Sequence, residues 1–384
     1  LMNICSGGFI LKGNVINMAN ILDYIEWRGD LPFNQSPFNE IDNLILSRVS
    51  YFSFDEIISD GEEITIKEAY KRFSKLDEEK IKYLIKGDID LFPALAKSER
   101  FGNLILRDFI NKFDVKTEKQ FCAITIMLPD QTAYVSYRGT DNTLIGWKED
   151  FNMSFMEYVP AQIDAKNYLN DIANKITCDI RVGGHSKGGN LAVYASTFCD
   201  EKIKDRIIKV YNNDGPGFFE EVIKTKEYQQ NLPKIHTYIP QASIIGRMLN
   251  HEEKTTIVQS TQFGIYQHDL FNWQVMGSKF VTAYGLTENS EIIDKTLKKW
   301  LQEVSPEQRE KFAVTLFEIL ASTDANTLSE INANKFANYK KIFESYKNLD
   351  EEGKNIINNT VKTLLNIVKE NIKKSGKKDE LENK

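Results

Sequence analysis

The chain has 384 residues, 41% hydrophobic and 27% charged, an ordinary composition for one large globular domain with an appendage, or for two domains. Its formal net charge is −6 and no basic stripe stands out, so nucleic acid is not an expected partner. The 4 histidines and the 4 scattered cysteines (Cys5, Cys122, Cys178 and Cys199) lack metal-ligand spacing; the cysteines read as small buried hydrophobes of a reducing compartment.

The N-terminal residues 1–17 lack a basic start followed by a long apolar core. They read as an extension, not a signal peptide. The chain opens on Leu1, and translation is expected to begin at Met2 or Met18. Residues 18–285 read as the main domain, with a helical lead-in over 18–113. In its first part Ile21, Leu22, Tyr24, Ile25 and Trp27 give a short apolar face. Ser36-Pro37 has the form of an N-cap with proline at the first helical position. The helix it opens runs to about Ser50, with Ile41, Leu44, Ile45 and Val49 inward and Asp42, Asn43 and Arg48 nearer the other face. Residues 64–113 read as helical and charged, opened by Thr65 with Glu68 and broken by Gly87 with Pro93. Their charges are expected to be solvated.

A β-pair follows, Phe121 to Met127 and Ala133 to Tyr137, turning at Pro129-Asp130. It ends at Arg138-Gly139-Thr140-Asp141. A helix is predicted over about 161–176, then strands at 179–182, 206–211, 235–239 and 256–258. Strand and helix alternating in this way predict a mostly parallel α/β sheet flanked by helices. Functional groups then belong at the carboxyl ends of the strands. From Ser290 the pattern turns helical, and 286–374 reads as a C-terminal helical region. Ser305-Pro306-Glu307-Gln308 is a capping box. Ile356, Ile357, Val361, Leu364, Leu365, Val368 and Ile372 recur at helical spacing. That stripe fits packing on the main domain, a second copy of the chain or a membrane surface. Residues 375–384 are rich in Lys and Glu and are expected to be a disordered tail. Lys378-Asp-Glu-Leu381 is not terminal and so is not a retention signal. No apolar run approaches the ~20 residues of a membrane span. The expected location is the cytoplasm.

The chemistry concentrates at Gly184-His185-Ser186-Lys187-Gly188, a G-x-S-x-G pentapeptide between a strand and a helix. A serine hydroxyl is a weak nucleophile and must be held exposed beside a base. A sharp turn with small flanking residues does this, and the helix start supplies N–H groups for an oxyanion. The run Lys187-Gly188-Gly189 does not make a phosphate loop, which needs Gly-x4-Gly-Lys-Ser/Thr. Three histidines follow Ser186. His236 lies inside a strand pattern, and His251 sits in the charged run Asn250 to Lys254, read as solvated. His268 lies in a loop after the last strand, where a triad histidine belongs. The acid is expected after the strand 235–239, but Pro240 to Arg247 holds no carboxylate. Asp214, one strand earlier, is the candidate; a dyad helped by Ser243, or by backbone alone, stays open, and Asp269 adjoins His268 too closely. The oxyanion donors expected are the Lys187 N–H and Thr140. Phe151, Met153, Phe155 and Met156 are expected to line an acyl pocket, form a lid or serve as plain core.

With these residues in view, the chain resembles class 3 (fungal-type) lipases. Tyr137-Arg-Gly-Thr140, with Trp147 and Asp150 beyond, is similar to their oxyanion segment. Gly184-His-Ser-Lys-Gly-Gly189 is similar to their elbow, with Lys187 in place of an apolar residue. The stretch from about Asn20 to Gly277 looks like an uncharacterised bacterial family of the α/β-hydrolase superfamily. The shared features are Trp27-Arg-Gly-Asp30, the S-K-G-G-N elbow and the segment Gln267 to Trp273. The resemblance implies an α/β-hydrolase fold and a serine-hydrolase site. The resulting expectation is a serine hydrolase of carboxylic esters, with lipid or acyl esters as the expected substrates, Ser186, His268 and Asp214 as triad and no cofactor or metal. The alternative is a hydrolase-fold binding or scaffold protein acting through its helical appendage.

Overall fold

The structure is a computed structural model. It describes residues 8–11, 14–77, 86–114, 116, 118–141, 143–262, 264–325, 327, 330–331 and 335–382. Strands β1 (Gly8–Leu11) and β2 (Asn14–Asn17) form an antiparallel hairpin within the N-terminal extension. The main sheet holds β3 (Ile64–Thr65), β4 (Ile105–Asp114), β5 (Lys119–Leu128), β6 (Thr132–Tyr137), β7 (Asp179–His185), β8 (Ile207–Asn213), β9 (Ile235–Pro240) and β10 (Thr255–Val258). Their order is β10-β9-β8-β7-β6-β5-β4-β3. From β6 to β10 each neighbour is parallel, while β5 meets β6 and β3 meets β4 antiparallel. Helices Pro160–Lys175 and Lys187–Phe198 make the crossovers on either side of β7. This is an α/β-hydrolase fold.

The chain divides into two compact units. The first comprises residues 1–112, 121–139 and 162–287. Its sheet interior reads as unbroken apolar sequence because parallel strands are covered on both faces. Phe121 through Ile126 and all of β6 are buried. Helix Glu40–Val49 lies against β6 and β7 and is buried from Ile41 to Val49. Its polar groups are paired within the sheet layer. Asn43 Nδ2 donates to Asn213 Oδ1 at 2.9 Å, Ser136 Oγ donates to the Leu46 carbonyl at 2.8 Å, and the Ser47 and Tyr134 hydroxyls lie 2.7 Å apart.

Several sequence expectations for the lead-in are corrected. The cap of that helix is Asn39, with Asp42 closing a capping box, and not Ser36. Ser36 instead accepts from Arg28 and, through its carbonyl, from Arg100. The stretch 64–113 is not helical throughout, since β4 occupies its end. Pro93 sits inside helix Lys86–Lys97 without breaking it. Most of the charges of 64–100 are exposed as expected, among them Lys67, Lys71, Lys75, Asp90, Lys97 and Glu99, but Asp88 and Arg100 are buried. Arg100 reaches Asp42 at 2.6 Å with both side chains fully buried, and Arg48 reaches Asp88 at 2.6 Å. A charge pattern along one helix cannot show that its partner arrives from 58 residues away. Cys122 and Cys199 are buried as expected, but Cys178 is only partly so.

The second unit comprises residues 113–120, 140–161 and 288–384. It contains helices Leu144–Asn152, Glu288–Glu303, Pro306–Ala321, Lys335–Asn348 and Glu351–Glu382. Ser305 and Gln308 form the capping box predicted for the third of these. Trp300, Val304 and Ile367 make its buried cluster, with Phe151 and Leu301 against it. On the last helix the buried seam is Gly353, Thr360 and Ile367, seven residues apart. The predicted stripe is thus partly turned outward, leaving Val361, Leu364 and Leu365 at 43%, 37% and 53% exposure. That helix continues to Glu382, where the sequence reading expects a tail from 375. Lys, Glu and Leu are strong helix formers, and a polar stretch can extend an anchored helix without packing. Among the described residues, no helix is long and apolar enough to cross a membrane.

The buried Asp42–Arg100 pair makes a quantitative prediction. Arg100→Leu strands the carboxylate and is expected to cost about 3–5 kcal/mol. Asp42→Leu combined with Arg100→Leu should recover most of that loss. Urea unfolding followed by circular dichroism measures both; a single mutant as stable as the wild type would contradict the reading.

Candidate active site

Strand β7 ends at His185, and helix Lys187–Phe198 begins two residues later. Ser186 therefore carries the whole reversal, with φ 60 and ψ −135. A non-glycine residue at positive φ is strained, and this turn compels it. The flanking glycines show why the turn needs its spacing. A methyl group on Gly184 would stand 2.3 Å from the Gly188 carbonyl carbon, and one on Gly188 would stand 2.1 Å from the Tyr137 oxygen. The helix start is thus pressed against the end of β6, and side chains have no room there. Gly139, just beyond β6, lies close as well; its methyl would come within 3.0 Å of Ser186 Cβ.

The Ser186 N–H donates to the Asn213 carbonyl at 3.0 Å, which ties the elbow to the end of β8. Asp214 follows directly, also at positive φ, and is fully buried. Its Oδ2 lies 2.6 Å from His268 Nδ1. A carboxylate only accepts, so Nδ1 carries the proton and Nε2 is the basic nitrogen. The other carboxylate oxygen accepts from Ser243 Oγ at 2.5 Å and from the Gly246 N–H at 3.2 Å. The loop after β9, where a carboxylate was expected, thus supplies donors to a carboxylate placed one strand earlier. Asp214 and Ser243 act together here, and Asp269 is engaged elsewhere, capping the turn at Phe271.

His185 completes the arrangement. Its ring lies 4.5 Å from the His268 ring, and its Nε2 lies 2.8 Å from the His268 carbonyl oxygen. A carbonyl accepts, so His185 Nε2 carries a proton. Burial holds its pKa well below the usual range, with the nearby His268 and Arg48 adding to the effect. His185 is therefore a neutral donor that anchors the loop bearing His268. Tyr51 approaches from the lead-in. Its hydroxyl donates to the His185 carbonyl at 3.2 Å and accepts from the Gly139 N–H at 2.9 Å. Burial pushes this phenol up to about 12, against the opposing charge of Arg48 stacked 3.8 Å from its ring. It remains protonated at any working pH.

Ser186, Lys187, Asp214 and His268 all belong to the first unit. Lys187 opens the helix, so its N–H is one of the first-turn amides that have no carbonyl of their own helix to bond. Thr140, Phe151, Met153 and Phe155 belong to the second unit. There Thr140 Oγ1 lies 2.6 Å from both oxygens of Asp150, and its one hydroxyl proton is engaged by that carboxylate. Phe151 packs on Trp300 and Phe312, and Met153 is buried. Sequence reasoning missed Tyr51 and His185. His185 stands inside the motif and was legible by position; Tyr51 lies 134 residues away and left no signal.

With this geometry in hand, a family model described as Mbeg1-like matches residues 95–318, more than half of the chain. The chain belongs to the Mbeg1-like family. That match spans the elbow, Asp214 and His268. Comparison with curated proteins gives no match. Among solved structures, the crystal structure of M37 lipase aligns at 14% identity over 54% of this chain and 68% of that one, with a TM-score of 0.34.

The remaining histidines are structural. His236 lies in β9, where burial lowers its pKa. His251 is not in a solvated cluster: its Nδ1 lies 2.8 Å from Glu253 and both side chains are buried. Glu253 also accepts from Thr237 at 2.5 Å and Tyr228 at 2.8 Å. Burial alone would raise this carboxyl, but the His251 and Thr237 hydrogen bonds outweigh it and lower the pKa to about 2.

Two predictions follow from this packing. Gly188→Ala forces a methyl into the Tyr137 backbone and should destabilise the protein by about 1–3 kcal/mol, seen as a lower thermal midpoint. Glu253 has a folded pKa below its unfolded value, so its contribution is present above about pH 4.5 and is lost as pH falls toward 2. Glu253→Gln should lower stability at pH 7 by about 2–3 kcal/mol and flatten the loss over that window. Unfolding curves collected from pH 2 to 7 would show an unchanged slope if the carboxylate were not responsible.

Proposed function

We propose that this protein is a serine hydrolase that cleaves carboxylic esters. Ser186 is the nucleophile, His268 the general base, Asp214 the residue that orients and charges against His268, and the Lys187 N–H an oxyanion donor. The observation that carries the reading is the 2.6 Å contact of Asp214 with His268 Nδ1, built on the same strand end that holds the Ser186 backbone. Nothing in a plain strand–helix turn requires a buried carboxylate aimed at a partly exposed imidazole.

The steps follow from these roles. His268 Nε2 takes the Ser186 hydroxyl proton as Oγ bonds to the ester carbonyl carbon. The carbonyl π electrons move onto oxygen, where first-turn amides stabilise the charge. The intermediate collapses, the carbon–alkoxide bond breaks, and His268 returns its proton to the leaving alcohol. Water then repeats the sequence on the acyl-enzyme, releasing a carboxylic acid and restoring Ser186. Esters of lipids or other acyl chains are the substrate class proposed, in keeping with the lipase-like oxyanion and elbow motifs.

A fluorophosphonate probe should label the protein at Ser186, and Ser186→Ala should abolish the labelling. A graded series of p-nitrophenyl esters should be hydrolysed by the wild type alone. Asp214→Asn should lower kcat by about 10²–10⁴-fold, because His268 loses its orienting charge. Folded protein that neither labels nor turns over any ester would favour a binding role for the fold.

A further inference from the structure

Two helices of the second unit hold large apolar side chains in water. On helix Lys335–Asn348, Phe336, Tyr339 and Phe343 are 96%, 53% and 56% exposed. Spaced by three and four, they share one face of that helix. Its other side is turned inward, where Asn338 is buried and donates to the Ile331 carbonyl at 3.1 Å. On helix Glu351–Glu382, the exposed Val361, Leu364 and Leu365 stand beside the buried seam of Thr360 and Ile367. The Tyr346 hydroxyl donates to Asn358 Oδ1 at 2.9 Å and joins the two helices. Tyr346 comes three residues after Phe343 and seven after Tyr339, and Asn358 comes three before Val361 and seven before Leu365. Spacings of three and seven keep to one side of a helix, so both apolar stripes run out from that one contact.

Lysines line both stripes. Lys340 and Lys347 are exposed beside the aromatic face, and Lys347 Nζ lies 4.3 Å from the Phe343 ring. Lys362 and Lys369 are exposed as well, and each lies one residue further round the helix than Val361 and Val368, away from the seam. These rows belong to a wider separation of charge. Residues 335–378 hold 11 lysines and 5 acidic residues, a net of +6. The whole chain holds 49 basic and 55 acidic residues, so the remainder, Asp379, Glu380 and Glu382 included, has 38 and 50, a net of −12. Within the basic stretch, Lys340, Lys341 and Lys354 lie 3.8, 2.8 and 3.7 Å from Glu344, Asp324 and Glu351.

Apolar stripes of this size gain by being covered, and the lysines decide which cover fits. A second copy docking by the same face would set lysine rows against a like-charged patch, because a two-fold interface pairs a surface with itself. An anionic lipid surface answers both features. Its headgroups attract the lysines, and its acyl boundary takes up the aromatic and aliphatic side chains between them. A fluid headgroup layer can meet long, exposed lysines wherever they stand, whereas a folded partner must match their positions. Among the described residues no helix is long and apolar enough to cross a membrane, so the contact is with the surface. We propose that the helical unit docks on an anionic lipid bilayer through these two apolar stripes, with Lys340, Lys347, Lys362 and Lys369 at the headgroups. This inference rests on the second unit alone and does not depend on the hydrolase reading.

Sedimentation of the full chain with lipid vesicles tests it. Vesicles of phosphatidylcholine and phosphatidylglycerol in equal parts should bind the protein at least about 10-fold more tightly than phosphatidylcholine alone, and about 1 M salt should release it. Phe336→Ser combined with Phe343→Ser should weaken that binding at least about 10-fold. Both side chains are exposed, so the thermal midpoint should not move. Lys362→Glu combined with Lys369→Glu should weaken binding at least about 10-fold as well. Phe343→Trp should add fluorescence that shifts to the blue with the anionic vesicles only. Ser186→Ala should bind like the wild type, which separates this surface from the triad. No binding to anionic vesicles, equal binding to both compositions, or binding unchanged by the serine pair or the glutamate pair would overturn the inference. If vesicles are not bound, dimers abolished by the serine pair would give the face to a second copy.

Discussion

The molecule is built around a crowded backbone crossing. The helix that begins at Lys187 runs so close to the end of β6 that Gly184, Gly188 and the Tyr137 carbonyl meet with no space for a side chain. That approach drives Ser186 into positive φ and holds its side chain at the apex of the turn. Strain of this kind persists only where the surroundings over-determine it. Here they do, because parallel pairing fixes β7 between β6 and β8, and the Ser186 N–H is bound to the end of β8.

The lead-in helix Glu40–Val49 explains how so polar a strand end can be buried. Asn43 and Ser47 face Asn213 and Tyr134, and Asn213 also donates to the Gly184 carbonyl at 3.0 Å. Buried amides and hydroxyls are tolerable only when each finds a partner, and a satisfied network specifies one arrangement. The network links helix, β6, β7 and β8 immediately beneath the elbow. Tyr51, two residues beyond that helix, extends it to Gly139 and His185. The lead-in is thus part of the support for the site and not a separate appendage.

Legibility varied with the range of the interaction. The elbow, the parallel alternation and the capping box at Ser305 are written in residues a few positions apart, and they read correctly. Asp214 was legible only by elimination, because its identity as His268's partner depends on a loop 54 residues away. The four buried charges of the lead-in, Asp42, Arg48, Asp88 and Arg100, misread for the same reason. Asp42 and Arg48 look like one solvated face until Arg100 and Asp88 arrive from other elements. His251 and Glu253 misread because a short charged run gives no warning that Thr237 and Tyr228 will enclose it.

The sequence by itself determined the local grammar of this protein. Glycine spacing set the elbow with Ser186 at its turn, and β-branched and aromatic runs set the strands. Those are steric and propensity effects, acting over a turn or two of chain. Tertiary structure alone decided which carboxylate faces His268, that His185 is a buried neutral donor and that Tyr51 braces the turn. Each of these depends on desolvation and on partners brought together by folding, and neither quantity exists until the chain is packed.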